Sequence, residues 1–234
     1  MTFSRSSIKL LPSHIAFIMD GNRRWAKKKK VPVIEGHKMG SETIKKIVKK
    51  SLSLKIKYLT FFSFSTENWN RSKNEVFKLQ NLLKFYLDSE IDNFIKNKIN
   101  FSFIGDISRF EPSIRDKLIK LKDKTSLFNN LYFILALSYG SRTEIVEAIN
   151  NIHKKKIKQI TEKEITNHLM TKDIPDPDLV IRTSGEKRLS NFLLWQIAYS
   201  ELYFTKTLWP EFTSSKYLLA LKNYVKRKRR FGGD

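Results

Sequence analysis

Residues 14–30, HIAFIMDGNRRWAKKKK, join a short apolar run to a polar loop and then to a run of lysines. The apolar run His14–Met19 is typical of a buried β-strand, and the loop follows it directly. Five more runs of this kind occur at 57–65, 100–105, 131–139, 178–183 and 201–205, with longer amphipathic stretches between them. Alternating strands and helices predict an α/β protein with a mostly parallel central sheet of about six strands flanked by helices.

The chain shows no internal repeat and no low-complexity linker, so we expect one domain over residues 1–234. Residues 1–13 are expected to form an N-terminal extension and residues 225–234 a basic tail. The longest helix is predicted over Ser72–Lys98. Capping boxes are predicted at the starts of three helices, at the pairs Ser72/Glu75, Ser141/Glu144 and Thr161/Glu164.

Composition excludes several classes of protein. The 234 residues contain no cysteine, so disulfides, thiolate metal sites and cysteine nucleophiles are absent. Neither a secretory signal nor an apolar run of ~18 residues is present. We therefore expect a cytoplasmic protein, soluble or resting on a membrane surface. The net charge of +22 suits nucleic acid, anionic lipid or phosphorylated metabolites, and it equally suits a solvated lysine-rich surface.

Polar stretches follow four of the predicted strands. DGNRRW (20–25) follows the first, STENWNR (65–71) the second, GSR (140–142) the fourth and RTSGEKRLSN (182–191) the fifth. Open α/β sheets bind ligands outside the carboxyl ends of their strands, where these loops should meet. This convergence predicts one binding site at that edge of the sheet.

The residue types at this edge favour phosphate chemistry. Gly21 permits close approach of the backbone, a helix N-terminus attracts anions, and Arg23 and Arg24 offer forked donors. Asp20 would repel an anion unless a divalent cation such as Mg²⁺ lay between them. An ordinary Asp-Gly turn explains this loop equally well.

The second and fifth loops add further candidates. In STENWNR, Trp69 is either part of a site or a core anchor. Arg182 and Arg188, around Ser184 and Gly185, suggest a second phosphate site. Two more residues have open roles: Glu201 completes a metal shell or pairs with an arginine, and His37 is either an acid/base or a hydrogen-bonding group at a helix start. Two anion sites and one or two carboxylates suggest two phosphorylated substrates that share a magnesium ion.

The motifs together resemble a known family. HIAFIMDGNRRWAK, GHKMG, FSFSTENWNR, LSYGSRTEIVEA, DPDLVIRTSGEKRLSNFLLWQIAYSELYFT and LWPEF occur in the order found in the cis-prenyltransferases, and most closely in bacterial undecaprenyl diphosphate synthases. The resemblance implies a Mg²⁺-dependent transferase that condenses isopentenyl diphosphate onto farnesyl diphosphate with cis double bonds. It also implies a homodimer, an apolar tunnel and a product that carries cell-wall sugars.

Position by position, the resemblance implies roles for these residues. Asp20 would be the catalytic aspartate that helps to hold Mg²⁺, and Glu201 a metal-associated glutamate. Asn68 would act near the reacting carbons and offer a route for the lost proton. The segments that bind substrate would supply Gly21, Asn22, Arg23, Arg24, Trp25, His37 and Arg71 for the allylic diphosphate, Ser65, Glu67 and Trp69 beside the reacting carbons, and Arg182, Arg188 and Ser190 for isopentenyl diphosphate.

One departure from the family pattern stands out. Val33 occupies a position that is commonly arginine in the family. A non-catalytic subunit of the same fold is disfavoured, because such a subunit would not need Asp20, Arg182 and Arg188 together. A nucleic-acid-binding protein would rely on the basic charge and not on Asp20, so no nucleic-acid partner is expected. The terminal RRFG resembles a tail that completes the site across the dimer.

Overall fold

The computed structural model of the protein describes residues 10–227. Its centre is a six-stranded sheet in the order β3-β4-β2-β1-β5-β6, and neighbouring strands are all paired in parallel. The strands are β1 (His14–Ile18), β2 (Tyr58–Ser65), β3 (Ile99–Ile104), β4 (Leu131–Tyr139), β5 (Leu179–Arg182) and β6 (Glu201–Phe204). The predicted fold class is confirmed.

Eight α-helices lie between and after these strands within residues 10–227. They are α1 (Asn22–Lys29), α2 (Val33–Ser53), α3 (Lys73–Ser89), α4 (Ile91–Lys96), α5 (Pro112–Thr125), α6 (Ser141–Lys154), α7 (Glu162–His168) and α8 (Ser214–Val225). Two short 3₁₀ helices cover Thr66–Asn70 and Trp209–Glu211. None of the described helices combines the length and apolarity needed to cross a bilayer. The predicted N-terminal extension and the basic tail lie largely outside the described residues.

The single long helix predicted over 72–98 is divided in two. Helix α3 ends at Ser89, and α4 begins at Ile91 after Glu90. Glu90 is held by Lys45 at 2.8 Å, and α4 turns the Phe94 ring into the core against Phe101 and Phe133. Burial of that ring favours the break over a continuous helix.

In two of the three predicted capping boxes the N-cap side chain accepts the expected hydrogen bond. Ser72 Oγ accepts the Glu75 N–H at 3.3 Å, and Thr161 Oγ1 accepts the Glu164 N–H at 3.2 Å. The third was wrong, because α6 begins after Gly140 without a side-chain cap. There Ser141 Oγ instead accepts the Leu194 N–H at 2.9 Å, and Glu144 is buried. Both side chains tie α6 to the chain that follows β5.

The sheet order places the functional edge. After β1 the chain moves to β2 on one side, whereas after β5 it moves to β6 on the other. Such a reversal opens a crevice between the carboxyl ends of the two strands that flank it, here β1 and β5. Ile18 lies opposite Arg182 in the β1–β5 register, so the DGNRRW and RTSGEKRLSN loops leave the sheet side by side.

Several helices end on lysines in the left-handed region, where glycine is favoured. Lys55 follows α2 with φ 59°, and its N–H reaches Leu52 O at 3.1 Å. Because a side chain is strained there, Lys55→Gly should raise the free energy of unfolding by about 0.5–1 kcal/mol. Lys50→Gly inside the same helix should lower it by about 1 kcal/mol. Urea unfolding of both variants measures the contrast, and equal destabilisation would contradict it.

Candidate active site

An aspartate–arginine pair lies in the crevice between β1 and β5. Asp20 Oδ2 accepts a hydrogen bond from Arg182 Nη2 at 3.0 Å and lies 3.4 Å from Arg24 Nη2. Burial opposes ionisation of Asp20, but the hydrogen bond and charge of Arg182, then Arg24 and Ser184, outweigh it and hold the pKa below its usual value. Asp20 is therefore a carboxylate at neutral pH.

Arg182 is a fixed element of this pair. It is only 3% exposed, and its Nη1 donates to Ser190 Oγ at 2.8 Å and also to the Arg188 carbonyl. A buried guanidinium is tolerated when it is paired and hydrogen-bonded. These contacts serve both Nη atoms of Arg182, whereas its Nε is buried without a hydrogen-bond partner among the described residues. The Arg188 side chain does not reach the pair: it is exposed and bonds Glu186 at 2.5 Å.

The DGNRRW loop forms a turn whose backbone geometry suits an anion. Gly21 has φ 115°, and a Cβ there would lie 3.0 Å from the Leu208 backbone, so the turn requires glycine. Helix α1 begins at Asn22 without a side-chain cap, which leaves its first N–H groups open to an anion. Arg24 bonds the Ser184 carbonyl at 3.0 Å and thereby links this loop to the loop after β5.

His37 and Asn22 face each other at the start of the apolar cavity described below. Asn22 Nδ2 lies 3.5 Å from His37 Nδ1, while Asn22 Oδ1 and His37 Nε2 are buried without a hydrogen-bond partner among the described residues. Burial, then the charges of Arg71 and Arg23, lower the pKa of His37 to about 4 against an opposing Glu75. His37 is therefore a neutral ring at pH 7, with one nitrogen left for a further contact.

The second loop is a 3₁₀ helix held by its own side chains. Asn68 Oδ1 accepts the Ser65 N–H at 3.1 Å, and the Ser65 side chain completes a capping box. Arg71 Nη1 bonds Glu75 at 3.0 Å. Burial raises the pKa of Glu67, but hydrogen bonds from its own backbone and from Ser65 and Asn191 outweigh this and lower it. Of this group, Asn68 and Arg71 line the cavity.

Trp69 and Trp25 do not line that cavity. Trp69 packs on Phe64 and Phe110, donates to Ser138 Oγ at 2.9 Å and carries Arg109 4.4 Å from its ring centre. Trp69 thus takes the position of a core anchor, which was the alternative to a site role. Trp25 is partly buried on α1 and is absent from the lining.

Glu201 lies at the other end of the sheet. It pairs with Leu179 at the amino end of β6, level with Ile15 of β1, whereas Asp20 lies beyond the carboxyl end of β1. Five residues of extended chain separate these levels by roughly 16 Å. Glu201 Oε2 bonds Arg227 Nη1 at 2.5 Å, which matches the arginine-pairing alternative. Within one chain, Glu201 and Asp20 therefore cannot share an ion.

Asn191 joins three segments of the site, although the sequence motifs did not single it out as a site residue. Its Nδ2 donates to Glu67 Oε1 at 3.3 Å, its Oδ1 accepts the Arg142 N–H at 2.9 Å, and its carbonyl accepts the Ser141 N–H at 2.8 Å. Its φ is 62°, a left-handed conformation that asparagine tolerates better than most residues. This conformation allows Asn191 to contact Glu67, Arg142 and Ser141 at once, and the neighbouring sequence does not predict it.

Asn191→Ala should weaken substrate binding more than it weakens the fold. The variant loses two hydrogen bonds and is strained at φ 62°, which together cost about 2–3 kcal/mol. Asn191→Gly keeps the conformation, so it should recover about 1 kcal/mol of the stability without restoring KM. Thermal unfolding and the split between KM and kcat measure both effects. Equal KM values in wild type and both variants would contradict this role.

An apolar cavity of about 240 Å³ begins beside this charged edge. It runs between α2 and α3 and over the face of β2, β3 and β4, from the level of Leu137 to that of Ile99. Because Ile99 pairs with Leu131, six residues of β4 separate these levels, or roughly 20 Å. The far end holds the rings of Phe94, Phe101 and Phe133, with centres 5.2–6.1 Å apart. Leu79, Leu83 and Phe94, all within the stretch predicted as one long helix, line it.

The donor set fits a magnesium ion that arrives with phosphate. No group of three or more His, Cys, Asp or Glu is placed to hold a metal among residues 10–227. Asp20 is the carboxylate that directly follows β1 at the β1–β5 crevice, and it is flanked by Arg24 and Arg182. A single carboxylate suits Mg²⁺, which takes its other ligands from phosphate oxygens and water.

Fold and site define a class of protein: an α/β protein with arginines and a helix N-terminus at the carboxyl edge of its sheet and an apolar cavity beside them. Residues 18–232 match the prenyltransferase family model of undecaprenyl diphosphate synthase. The chain belongs to this family of isoprenyl transferases, and it is accordingly a prenyltransferase enzyme of isoprenoid biosynthesis.

Individual relatives agree with this assignment. The isoprenyl transferase of Thermotoga maritima is 48% identical over 95% of this chain and 97% of its own length. Lavandulyl diphosphate synthase of Lavandula x intermedia, solved in complex with dimethylallyl diphosphate, superposes with a TM-score of 0.92 at 40% identity, covering 96% of this chain and 99% of that one. A structure described as a probable undecaprenyl diphosphate synthase from Campylobacter jejuni has a TM-score of 0.81 at 37% identity, covering 94% and 98%.

Proposed function

We propose that the chain is a Mg²⁺-dependent cis-prenyltransferase. It condenses isopentenyl diphosphate onto an allylic diphosphate such as farnesyl diphosphate and makes a long polyprenyl diphosphate, undecaprenyl diphosphate, for the lipid carrier of cell-wall sugars. The observation that carries the proposal is the charged edge around Asp20 and Arg182, which adjoins an apolar cavity about 20 Å deep. A diphosphate head at the edge and a hydrocarbon chain in the cavity would occupy both.

The allylic diphosphate would lie on the α1 turn. The N–H groups at the start of α1, the Arg23 and Arg24 guanidiniums and the neutral His37 ring would serve as its contacts. Asp20 would hold Mg²⁺ between itself and the phosphate oxygens, and the ion would offset charge that develops on the leaving diphosphate. A complex with dimethylallyl diphosphate in a relative of 40% identity supports an allylic ligand.

The isopentenyl diphosphate would lie beside the loop after β5. Arg182 and Ser190 are held there, and the exposed Arg188 would exchange its contact with Glu186 for a phosphate oxygen. Asn68 lines the cavity close to the reacting carbons, but its Oδ1 is engaged by the Ser65 N–H. Asn68 would therefore orient the substrate, and the proton would pass to the departing diphosphate.

A homodimer is part of this proposal. Glu201 lies too far from Asp20 in its own chain to share an ion with it, so it would take part only if a second copy brought its own glutamate to this edge. The cavity would hold the growing chain, since burial contributes about 0.8 kcal/mol per CH₂. Release would follow once the chain reaches the aromatic end.

The test is incubation of the purified chain with farnesyl diphosphate, labelled isopentenyl diphosphate and Mg²⁺. The dephosphorylated products are then compared with chain-length standards. A Mg²⁺-dependent ladder that ends near the undecaprenyl standard is expected. Absence of any condensation by a folded protein would refute the enzyme proposal, and a product of one condensation would refute the long-chain part.

The aromatic end of the cavity should set product length. Phe133→Ala removes one ring of the Phe94, Phe101 and Phe133 cluster, so products should become longer by one or more isoprene units. Ile134→Ala is the matched control, because Ile134 is the next residue of β4 and packs in the core on the opposite face of the sheet. Both truncations cost about 2–5 kcal/mol of stability, so folding is checked by circular dichroism. Identical product lengths in both variants would contradict this assignment.

A further inference from the structure

The outer side of α3 carries two exposed phenylalanines. Phe77 is 54% and Phe85 is 61% exposed. Eight residues span a little over two helical turns, so both rings lie on the same side. The opposite side of α3 lines the apolar cavity through Leu79, Leu83 and Leu87. Helix α3 therefore separates the apolar cavity on one side from exposed aromatic rings on the other.

The turn between α1 and α2 extends this surface. Val31 and Val33 are both exposed, and Val33 lines one groove together with Asn74 and Lys78 of α3. The turn therefore lies against the first turns of α3. We name the apolar residues Val31, Val33, Phe77 and Phe85, with the lysines beside them, the docking face.

The docking face is cationic. Five exposed lysines lie on the elements that carry or border it: Lys27 and Lys29 on α1, Lys30 directly after α1, and Lys73 and Lys78 on α3. Salt bridges within residues 10–227 leave these five out, while the nearby acids pair elsewhere: Glu35 with Lys38, Glu75 with Arg71 and Asp88 with Lys117. Lys73 is also in the first turn of α3, where the helix dipole disfavours a cation. The charge of Lys73 therefore does not stabilise α3.

We infer that the docking face binds the surface of an anionic lipid bilayer, with Phe77 and Phe85 in the interfacial region and the lysines at the headgroups. Exposed aromatics flanked by lysines on one helix face are the features of interfacial membrane binding. The inference rests on the proposed function, which places a lipid product in the cavity on the inner side of α3. With the docking face on a bilayer, only α3 would separate that product from the membrane. A second copy of the chain fits less well, since it would bring ten like charges together.

The aromatic part is tested by sedimentation of the full chain with two kinds of vesicle, phosphatidylcholine alone and phosphatidylcholine with phosphatidylglycerol. Wild type should bind the anionic vesicles and lose binding at high salt. Phe77→Ser/Phe85→Ser should weaken binding about 100-fold, or roughly tenfold per ring. The control is Ile119→Ser/Leu127→Ser, which removes two other exposed apolar side chains and should change affinity less than twofold.

The charged part is tested by exchanging lysines for glutamine. Lys27→Gln/Lys29→Gln/Lys73→Gln should weaken binding to anionic vesicles about 100-fold, since each lysine contributes roughly fivefold. The control exchanges Lys154, Lys155 and Lys158, which are exposed at the end of α6 and beyond it. Equal losses from both triple variants would show that net charge, and not this face, drives binding, and would overturn the inference.

Three further results would also overturn it. These are no binding by wild type, equal binding to both vesicle types, and a phenylalanine double variant that binds like wild type. A double variant that changes mass in solution without vesicles would assign the face to a second copy instead. Condensation measured in detergent without vesicles should stay within twofold in the phenylalanine variant, because neither ring lines the cavity. If the wild-type chain catalysed no condensation, the proposed function would be refuted. The vesicle measurements would still decide whether the docking face binds a bilayer.

Discussion

Asp20→Asn is expected to lower the rate of condensation by about 10³-fold or more with little change in the fold. The amide keeps the shape of the carboxylate and one acceptor for Arg182, but it removes the charge that would hold Mg²⁺ beside the diphosphate. Losing one preorganised electrostatic contact at a developing charge costs about 10²–10³ in rate, and loss of the ion adds to this. Single-turnover rates with farnesyl diphosphate at saturating Mg²⁺ measure the effect.

The matched control for this variant is Glu186→Gln. Glu186 is a second carboxylate beside Arg24, at 3.2 Å, but it lies farther along the loop and pairs with the exposed Arg188. Its replacement should change the rate less than tenfold. If folded Asp20→Asn stayed within tenfold of wild type, or if both variants lost activity equally, the assignment of Asp20 as the metal-holding carboxylate would be wrong.

Gly36→Ala is expected to destabilise the protein and to displace the turn of the DGNRRW loop. A Cβ at Gly36 would lie 2.2 Å from the Asn22 backbone oxygen, so α1 and α2 would have to separate. Alanine gains about 1 kcal/mol over glycine inside a helix, but overpacking against backbone costs about 3 kcal/mol or more, and the net loss is about 2 kcal/mol. Denaturant unfolding measures the stability, and KM for the allylic diphosphate should rise at least tenfold.

Gly40→Ala separates the two effects. A Cβ at Gly40 would lie 2.5 Å from Asn22 Oδ1 and 2.9 Å from the Trp209 ring. The Asn22 side chain can turn away at small cost, so stability should fall less than in Gly36→Ala. KM should still rise, because Asn22 would leave its place beside His37. The interpretation fails if Gly36→Ala is as stable as wild type, or if Gly40→Ala binds substrate normally.

Much of the fold could be read from the sequence because its signals are local. Apolar runs of strand length, separated by amphipathic stretches, predict alternating strands and helices, and six parallel strands were found. The cap at Ser72 follows from residues three positions apart. The break at Glu90 could not be read in this way, because it depends on Lys45 and on the Phe94 ring reaching partners across the core.

The strand β2 shows the same limit at finer scale. Its register with β4 shifts at Ser63, so that Phe62 pairs with Ala136 and Phe64 with Leu137. Strict alternation would place Phe64 on the same face as Phe62. The bulge instead turns Phe64 towards Trp69 and Phe110, and leaves Ser63 in the cavity lining. No pattern in FFSFS reveals which residue is the extra one.

The sequence by itself determined the order of strands and helices, the loops that carry the charged residues and the family to which the chain belongs. These follow from the identity and spacing of neighbouring residues. Only the tertiary structure decided which of those residues meet. It brings Asp20 to Arg182, 162 positions away, joins Asn191 to Glu67, buries Trp69 as an anchor and leaves Glu201 at the far end of the sheet. The physical reason is that strand register and left-handed backbone turns are fixed by packing between distant segments, for which hydrophobic periodicity carries no signal.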